Sequence, residues 1–220
     1  MSSIRKFKLV SVVTVFSAVI YTQSALAVPV YEALPSSNSS LVSLHTAGGP
    51  VLADDFTSSG SGLVNQVEWW GSSARSASWE ITFHNDIGGS PELSVLSQHF
   101  VNAIGSDLDG DGIFHYSALW NPMDLFITAG TDYWFSVANF ADNWTWANAF
   151  APTVGSEQYD AMVSSGALGS PHFGPWSTAL DATGAPTDFA FRINTVPEPG
   201  IFALLAIGLA GIGLARRKKT

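Results

Sequence analysis

Three aspartates at alternate positions have the types and spacing of metal ligands. The segment that begins at Asp107 reads Asp-Leu-Asp-Gly-Asp-Gly. Carboxylates at the first, third and fifth positions, followed by glycine at the sixth, match the first half of a calcium loop. The second half departs from that pattern, because its ninth position is His115 and its twelfth is Ala118. Asp107, Asp109 and Asp111 are therefore candidate calcium ligands, and a glycine-rich hairpin turn is the alternative.

Tryptophan is the second residue type whose placement suggests binding chemistry. The sequence contains eight tryptophans. An exposed indole beside Asn and Asp can stack on a sugar ring while its neighbours bond the hydroxyl groups. Trp144 and Trp146 have such neighbours in Asp142 and Asn143, so they form a candidate glycan platform. Both side chains point to the same face of a strand, and the alternative is that both belong to the core.

The sequence offers little support for catalysis. It has no G-x-S-x-G motif, and its five histidines show no H-E-x-x-H spacing. It has no cysteine, which excludes disulfides, zinc-thiolate sites and a cysteine nucleophile. Glu68 and Glu80 are a candidate hydrolase pair, which would need carboxyl groups ~5–9 Å apart, and solvated strand faces are the alternative. We expect a protein without enzymatic activity.

Charge limits the partners of the central part of the chain. From Val28 to Val196 there are two arginines, no lysine and 17 acidic residues, a formal charge of −15. Such a surface is repelled by phosphate backbones, so nucleic acid is excluded as a partner. Divalent cations and neutral glycans, including extracellular polysaccharide, remain. Asp54 and Asp55 form a second acidic pair, expected at a strand end, with a share in a calcium site as the alternative.

The amino terminus has the three parts of a secretory signal. Three basic residues precede the apolar stretch Leu9–Tyr21, and small residues at positions 25 and 27 precede a cut. The apolar stretch is short for a membrane span. We therefore expect a signal peptide at residues 1–27, cleavage between Ala27 and Val28, and export by the Sec machinery. An uncleaved anchor is the alternative.

The carboxyl terminus combines a proline-rich motif, a short apolar run and a basic end. Pro197-Glu198-Pro199-Gly200 precedes the apolar run Ile201–Ala215. Fifteen residues give roughly 22 Å of helix, short of a ~30 Å hydrocarbon core, and long basic side chains can extend it to the interface. Four cations hold this end in the cytoplasm. The run predicts a short transmembrane helix, followed by a basic stop of Arg216, Arg217, Lys218 and Lys219.

These three features in this order resemble the PEP-CTERM sorting signal of Gram-negative bacteria. The resemblance implies that Pro197, Glu198 and Pro199 are the recognition motif for an intramembrane protease of the exosortase class, which removes the tail. The physical reading agrees, because two prolines keep the segment extended, as a protease cleft requires. The resemblance implies an inner-membrane intermediate and then a cell-surface or extracellular location, with exopolysaccharide and biofilm as its setting. A plain single-span anchor is the alternative.

The body between the two ends shows the period of strands. Polar and apolar residues alternate, and turn residues separate the runs. We predict an all-β domain at residues 28–195, a single β-sandwich of jelly-roll-like form, followed by a sorting tail at 196–220. The expected strands are Leu63–Trp70, Ser78–Phe83, Leu93–Val101, Ile113–Leu119, Asp124–Ile127, Asp132–Asn139 and Phe189–Ile193.

Other segments give weaker signals. Leu34–Pro50 reads as a loose lead-in, Gly166–Pro186 as a long loop, and a helix is conceivable within Ser156–Val163. The order Ala-Asp-Asp-Phe, Trp-Trp-Gly, Tyr-Trp-Phe-Ser-Val and Trp-Thr-Trp is similar to β domains that accompany PEP-CTERM tails. Those domains mostly lack an assigned activity, so the resemblance implies a class and a location. A carbohydrate-binding module, with calcium as a candidate ligand, is the alternative function.

Overall fold

The computed structural model describes residues 27–44, 49–119, 124–140, 144–165 and 175–196. Within these residues the chain forms thirteen strands and no helix. The strands are β1 Val28–Ala33, β2 Pro35–Val42, β3 Pro50–Thr57, β4 Gly62–Gly71, β5 Ser78–Asn85, β6 Ser97–Asn102, β7 Phe114–Leu119, β8 Phe126–Ile127, β9 Asp132–Asn139, β10 Thr145–Ala149, β11 Met162–Ser165, β12 Trp176–Thr178 and β13 Phe191–Val196.

The strands form two antiparallel sheets. The first sheet has the order β1-β13-β4-β10-β2, and β7 and β8 also pair with β4. The second sheet has the order β12-β11-β3-β9-β5-β6. Alternation explains the packing between them, because every second residue of a strand points to the same face. Trp69 of the first sheet and Trp79 of the second are fully buried, with ring centroids 5.3 Å apart.

Aromatic side chains fill the space between the sheets. Phe56 and Phe135 of the second sheet contact Phe191 of the first, with ring centroids 5.9 and 4.9 Å away. Such pairs add to the large apolar area that each ring buries. The predicted all-β sandwich is confirmed at this level, and its core includes four tryptophans (Trp69, Trp79, Trp144 and Trp146) together with five phenylalanines.

The sequence located the regular strands and missed the irregular ones. The predicted strand at Asp132–Asn139 matches β9 at both ends, and the predicted strand at Ser78–Phe83 matches most of β5. The expected lead-in contains β2, whose polar sequence does not alternate. The segment in which a helix was conceivable contains the start of β11, and the expected long loop contains β12. These strands are short or rich in serine, so periodicity carries little signal there.

The last strand occupies a central position in the first sheet. β13 pairs with β1 on one side and with β4 on the other. Its register places Thr195 opposite Val28 of β1, and Val196 opposite Leu63 of β4. The start of the first strand and the end of the last strand therefore lie side by side at one end of the sheet.

Candidate functional site

The aspartate loop between β6 and β7 brings its three carboxylates together. One carboxylate oxygen from each of Asp107, Asp109 and Asp111 lies within 4.8 Å of the other two. Gly110 and Gly112 have φ angles of +78° and +86°, which the tight loop requires and other residues rarely adopt. The loop therefore has the compactness that the calcium hypothesis needs, and the hypothesis stays a prediction.

Backbone amides already bond two of these carboxylates. Asp107 accepts hydrogen bonds from the amides of Gly110 and Gly112, at 2.7 and 3.1 Å, and Asp111 accepts one from Ile113 at 2.7 Å. The alternative of a turn between paired strands is wrong, because β6 pairs with β5 in the second sheet and β7 with β4 in the first. The segment is a crossover between sheets, and backbone bonds between Ser106 and His115 close it.

This loop forms one wall of a groove on the outer face of the first sheet. The groove has a volume of about 220 Å³. Trp70 of β4 lies on its floor, half-buried, with the ring of His115 stacked at 5.0 Å and the guanidinium of Arg192 5.7 Å from its ring centre. Asp109 and Asp111 stand at the rim. The groove thus combines an aromatic surface, a cation and carboxylates, which are the groups that bind polyols.

A buried carboxylate organises the floor of the groove. Glu68 accepts hydrogen bonds from His115 at 2.8 Å, from Arg192 at 3.0 Å and from Asn194 at 2.9 Å. Burial alone would raise the pKa of Glu68, but these donors outweigh it and hold its pKa below the usual value. Arg192 also pairs with Glu32 on β1, so one arginine ties three strands together.

Sequence reasoning selected Glu68, Asp109 and Asp111 for other roles and did not select Trp70 or Arg192, although period two contained the signal for Trp70. Trp69 and Trp70 are adjacent on β4, so one ring faces the core and the other faces outward. His115 is the direct cross-strand partner of Trp70, a pairing that depends on long-range register. Arg192 comes from the far end of the chain, and only the completed sheet brings it to Glu68.

The expected glycan platform at Trp144 and Trp146 is wrong. Both indoles have 0% exposure. Trp144 packs edge-on against Trp79 at 4.9 Å, and Trp146 stacks on Phe189 at 4.8 Å. A sugar cannot reach either ring, because the opposite sheet covers them. Asp142 and Asn143 lie outside the described residues.

Glu68 and Glu80 do not face each other. Glu68 lies on the outer face of the first sheet, since its neighbours Val67 and Trp69 point into the core. Glu80 lies on β5 of the second sheet, between the core residues Trp79 and Ile81, and accepts a bond from Gln98. The core separates the two carboxyl groups, so they cannot flank one glycosidic bond as a hydrolase pair does.

Asp54 and Asp55 are buried in the middle of β3 instead of lying at a strand end. Both have 0% exposure. Asp54 accepts a 2.6 Å bond from the amide of Phe189, and Asp55 accepts bonds from the amides of Gln158 and Tyr159. The two carboxylates therefore attach two irregular segments to the second sheet, a structural role that depends on long-range contacts.

Two further acids, Glu157 and Asp188, lie near this pair, and the pKa values of the carboxyl groups in the cluster are raised. Glu157, which bonds to the hydroxyl of Tyr31, and Asp188 line an adjoining cavity of about 460 Å³. Desolvation raises the pKa of Asp55 to about 6, although two amides oppose it, and raises that of Glu157 to about 7. Burial and then Asp188 raise the pKa of Asp54 well above normal. The described residues around this cavity supply no cation that pairs with the cluster.

The described chain ends where the sorting motif begins. β13 extends to Val196, and Thr195 is 1% exposed within the sheet. The predicted motif Pro197–Pro199, the apolar run Ile201–Ala215 and the four terminal basic residues lie outside the described residues, as does the expected signal peptide before Ala27. Among the residues that the structure does describe, no helix has the length and hydrophobicity needed to cross a membrane.

A family model of known proteins matches the carboxyl-terminal part of the chain. The family model of the PEP-CTERM protein-sorting motif matches residues 195–219, beginning inside β13 and covering the proline motif, the apolar run and the basic residues. No curated protein matches the chain. The motif implies export and membrane-associated sorting through an exosortase, and the all-β body is consistent with an accessory domain. The chain therefore carries a PEP-CTERM protein-sorting motif attached directly to an all-β domain.

Proposed function

We propose that this chain is a non-enzymatic protein of the cell surface or extracellular matrix, delivered there through its carboxyl-terminal sorting motif. The observation that carries the proposal is the position of the motif, which begins inside the last described strand of the β domain. Removal of the tail after Val196 would leave every described strand in place. A folded acidic domain released in this way would stay soluble among anionic polymers.

Each end of the chain has a defined part in this route. The Sec machinery exports the body, and cleavage after Ala27 frees β1. The apolar run Ile201–Ala215 then stops in the inner membrane, and its basic end stays in the cytoplasm. An exosortase-type protease recognises Pro197, Glu198 and Pro199, which gives an inner-membrane intermediate before the surface or extracellular form. Extracellular polysaccharide is the expected setting.

Deletion of residues 197–220 tests the route in a Gram-negative host with an exosortase-type protease. We expect the full chain to reach the surface or the medium in a shortened form, and the deleted chain to collect in the periplasm. A matched variant, Pro197→Ala with Pro199→Ala, keeps the apolar run and the basic end, and it should stay full-length in the inner membrane. Identical fractionation of all three forms would refute the sorting proposal.

A second candidate function is glycan binding at the groove, and a specific arrangement favours it. Trp70 offers an aromatic surface beside Glu68 and Arg192, and the rim carries the clustered carboxylates of Asp109 and Asp111. A neutral sugar avoids the repulsion that the −15 charge imposes on anionic ligands. Calcium held by the loop would offer a direct contact to sugar hydroxyls.

A glycan array with the purified domain, repeated with a chelator, tests this second function. We expect binding to neutral glycans that Trp70→Ala abolishes, while the buried-core variant Trp146→Phe retains it. If the chelator weakens glycan binding by the parent domain and has no effect on binding by Asp109→Asn, calcium is assigned to the loop. If no glycan binds, and calcium does not change the melting temperature, the carbohydrate-binding function and its metal are excluded.

A further inference from the structure

The two processing junctions of the chain lie next to each other in the fold. β1 begins at Val28, directly after the expected signal cleavage, and pairs with Thr195 of β13. β13 ends at Val196, directly before the proline motif. Because the strands are antiparallel, the export signal and the sorting tail both attach at one end of the first sheet.

There is almost no spacer between this end of the sheet and the apolar run. Thr195 is buried and paired on both sides, and only residues 197–200 separate Val196 from Ile201. The five Cα–Cα intervals from Val196 to Ile201 span at most ~17–18 Å even when fully extended. When the apolar run occupies a bilayer, the end of β13 is therefore held within that distance of the hydrocarbon boundary.

The side chains around the exit point are uncharged. Hydrogen bonds and register join four segments there, since Val28 opposes Thr195, Val196 opposes Leu63, and Leu63 opposes Phe126. We name this surface the tail corner. It consists of residues 28–29, 58–63, 126–131 and 194–196, whose side chains include no Asp, Glu, Lys or Arg, and signal cleavage after Ala27 adds one charge, the α-amino group of Val28.

Two apolar side chains project from the tail corner. Val28 is 46% exposed and Phe126 is 42% exposed. The nearest acids along the chain are Asp124 and Asp132 at the borders of one segment, and Glu198 two residues beyond Val196; Asp132 is bonded to Thr57. An acidic surface would be repelled from anionic lipid headgroups, whereas an uncharged surface with exposed apolar groups avoids this cost and can insert shallowly.

We propose that the tail corner is a membrane-contact surface, on which the folded domain rests against the outer face of the bilayer while its tail is still attached. The partner is the lipid surface itself, which Val28 and Phe126 enter at the level of the headgroups. This proposal rests on the proposed function, because it requires the tail to occupy the membrane. The contact orients the domain so that the motif between Val196 and the bilayer is presented at the membrane face.

The absence of cysteine makes the contact directly measurable. The full-length gene is expressed in a host that lacks a tail-processing protease, and the chain is purified and reconstituted into phosphatidylcholine vesicles. Single variants Thr128→Cys in the tail corner and Ile104→Cys at the opposite end carry an environment-sensitive fluorophore. Ile104 is 87% exposed, and the ten residues of β4 separate the two ends by ~30 Å.

We expect the label at position 128 to shift to the blue and to be quenched by lipids that carry a spin label near the headgroup. The label at position 104 should show neither effect. Adding Phe126→Asp to the Thr128→Cys chain should reduce the quenching, whereas Phe126→Leu should preserve it. Near-ultraviolet circular dichroism of the same samples checks that each variant keeps its packed core.

Vesicle flotation separates the two levels of the proposal. Chains that float with the vesicles, with equal quenching at both labels, would overturn the membrane contact while leaving the proposed sorting route intact. Chains that do not float would refute the anchoring tail and the contact together. If the label at position 128 is protected only when a purified processing protease is added, the surface binds that protein and the lipid assignment is wrong.

Discussion

Replacing Glu157 with glutamine should stabilise the domain at alkaline pH. Glu157 is half-buried beside Asp55 and Asp188, and its pKa is raised from 4.5 to about 7, mainly by desolvation. The folded domain therefore retains a proton that the unfolded chain has released between these two pH values. The contribution of this group to stability is complete below pH 4.5 and is lost as the pH rises through 7.

The size of the effect follows from the same two values. A pKa difference from 4.5 to about 7 corresponds to ~3 kcal/mol in the free energy of unfolding. This is an upper bound, because solvent screens a partly exposed carboxylate, and we expect ~1–2 kcal/mol. Glutamine keeps an oxygen that can accept the hydrogen bond from the Tyr31 hydroxyl, and it removes the charge. Glu157→Gln should therefore raise the free energy of unfolding by this amount at pH 8 and leave it unchanged at pH 4.

Urea unfolding of the two proteins at several pH values measures the difference. The difference between the variant and the parent isolates Glu157 from groups with the opposite pH dependence, such as Glu68 and His84. Asp160→Asn removes an exposed carboxylate from the same segment and is the matched control, for which we expect a smaller change. A difference that stays constant from pH 4 to pH 8, or a variant that is less stable at pH 8, would refute the reasoning.

Two further predictions concern the groove and the core. Arg192→Ala should cost ~1–3 kcal/mol above pH 4.5, because it removes the guanidinium from the buried Glu68, and Arg192→Lys should recover part of the loss in a urea titration. Gly71→Ala should cost ~3 kcal/mol or more, because its new carbon would lie 2.2 Å from the backbone oxygen of Thr145 and 2.5 Å from the Trp144 ring. Gly110→Ala has open space and a φ of +78°, so only ~1 kcal/mol should be lost, and equal melting temperatures for both glycine variants would contradict this comparison.

The sequence predicted those parts of the fold that depend on local period. β5 and β9 alternate without interruption, so their faces could be assigned before any pairing was known. β2 is a run of serine and asparagine between a proline and two apolar residues, and pairing with β10 creates it. The alternation of residues also led to the wrong location for Trp144 and Trp146. It shows that both side chains lie on the same face of a strand, but it does not show whether the other sheet covers that face.

The candidate sites also fall into those that local sequence predicts and those that depend on long-range pairing. The aspartate loop was visible because its ligands are separated by single residues, and the structure gathers them within one short segment. The groove unites Trp70 with Arg192, 122 positions later, and the acid cluster unites Asp55 with Glu157. Sequence spacing carries no information on such pairs, since they depend on the register of strands from different parts of the chain.

The place of β13 in the first sheet explains why the sorting motif lies where it does. Phe191 and Ile193 fill the core, Arg192 neutralises Glu68, and the strand joins β1 to β4. A cut several residues before Val196 would remove these contacts and separate β1 from the sheet. A cut at the proline motif leaves every described strand intact. The sorting motif can therefore be removed together with the residues that follow it, while all the described strands of the first sheet keep their partners.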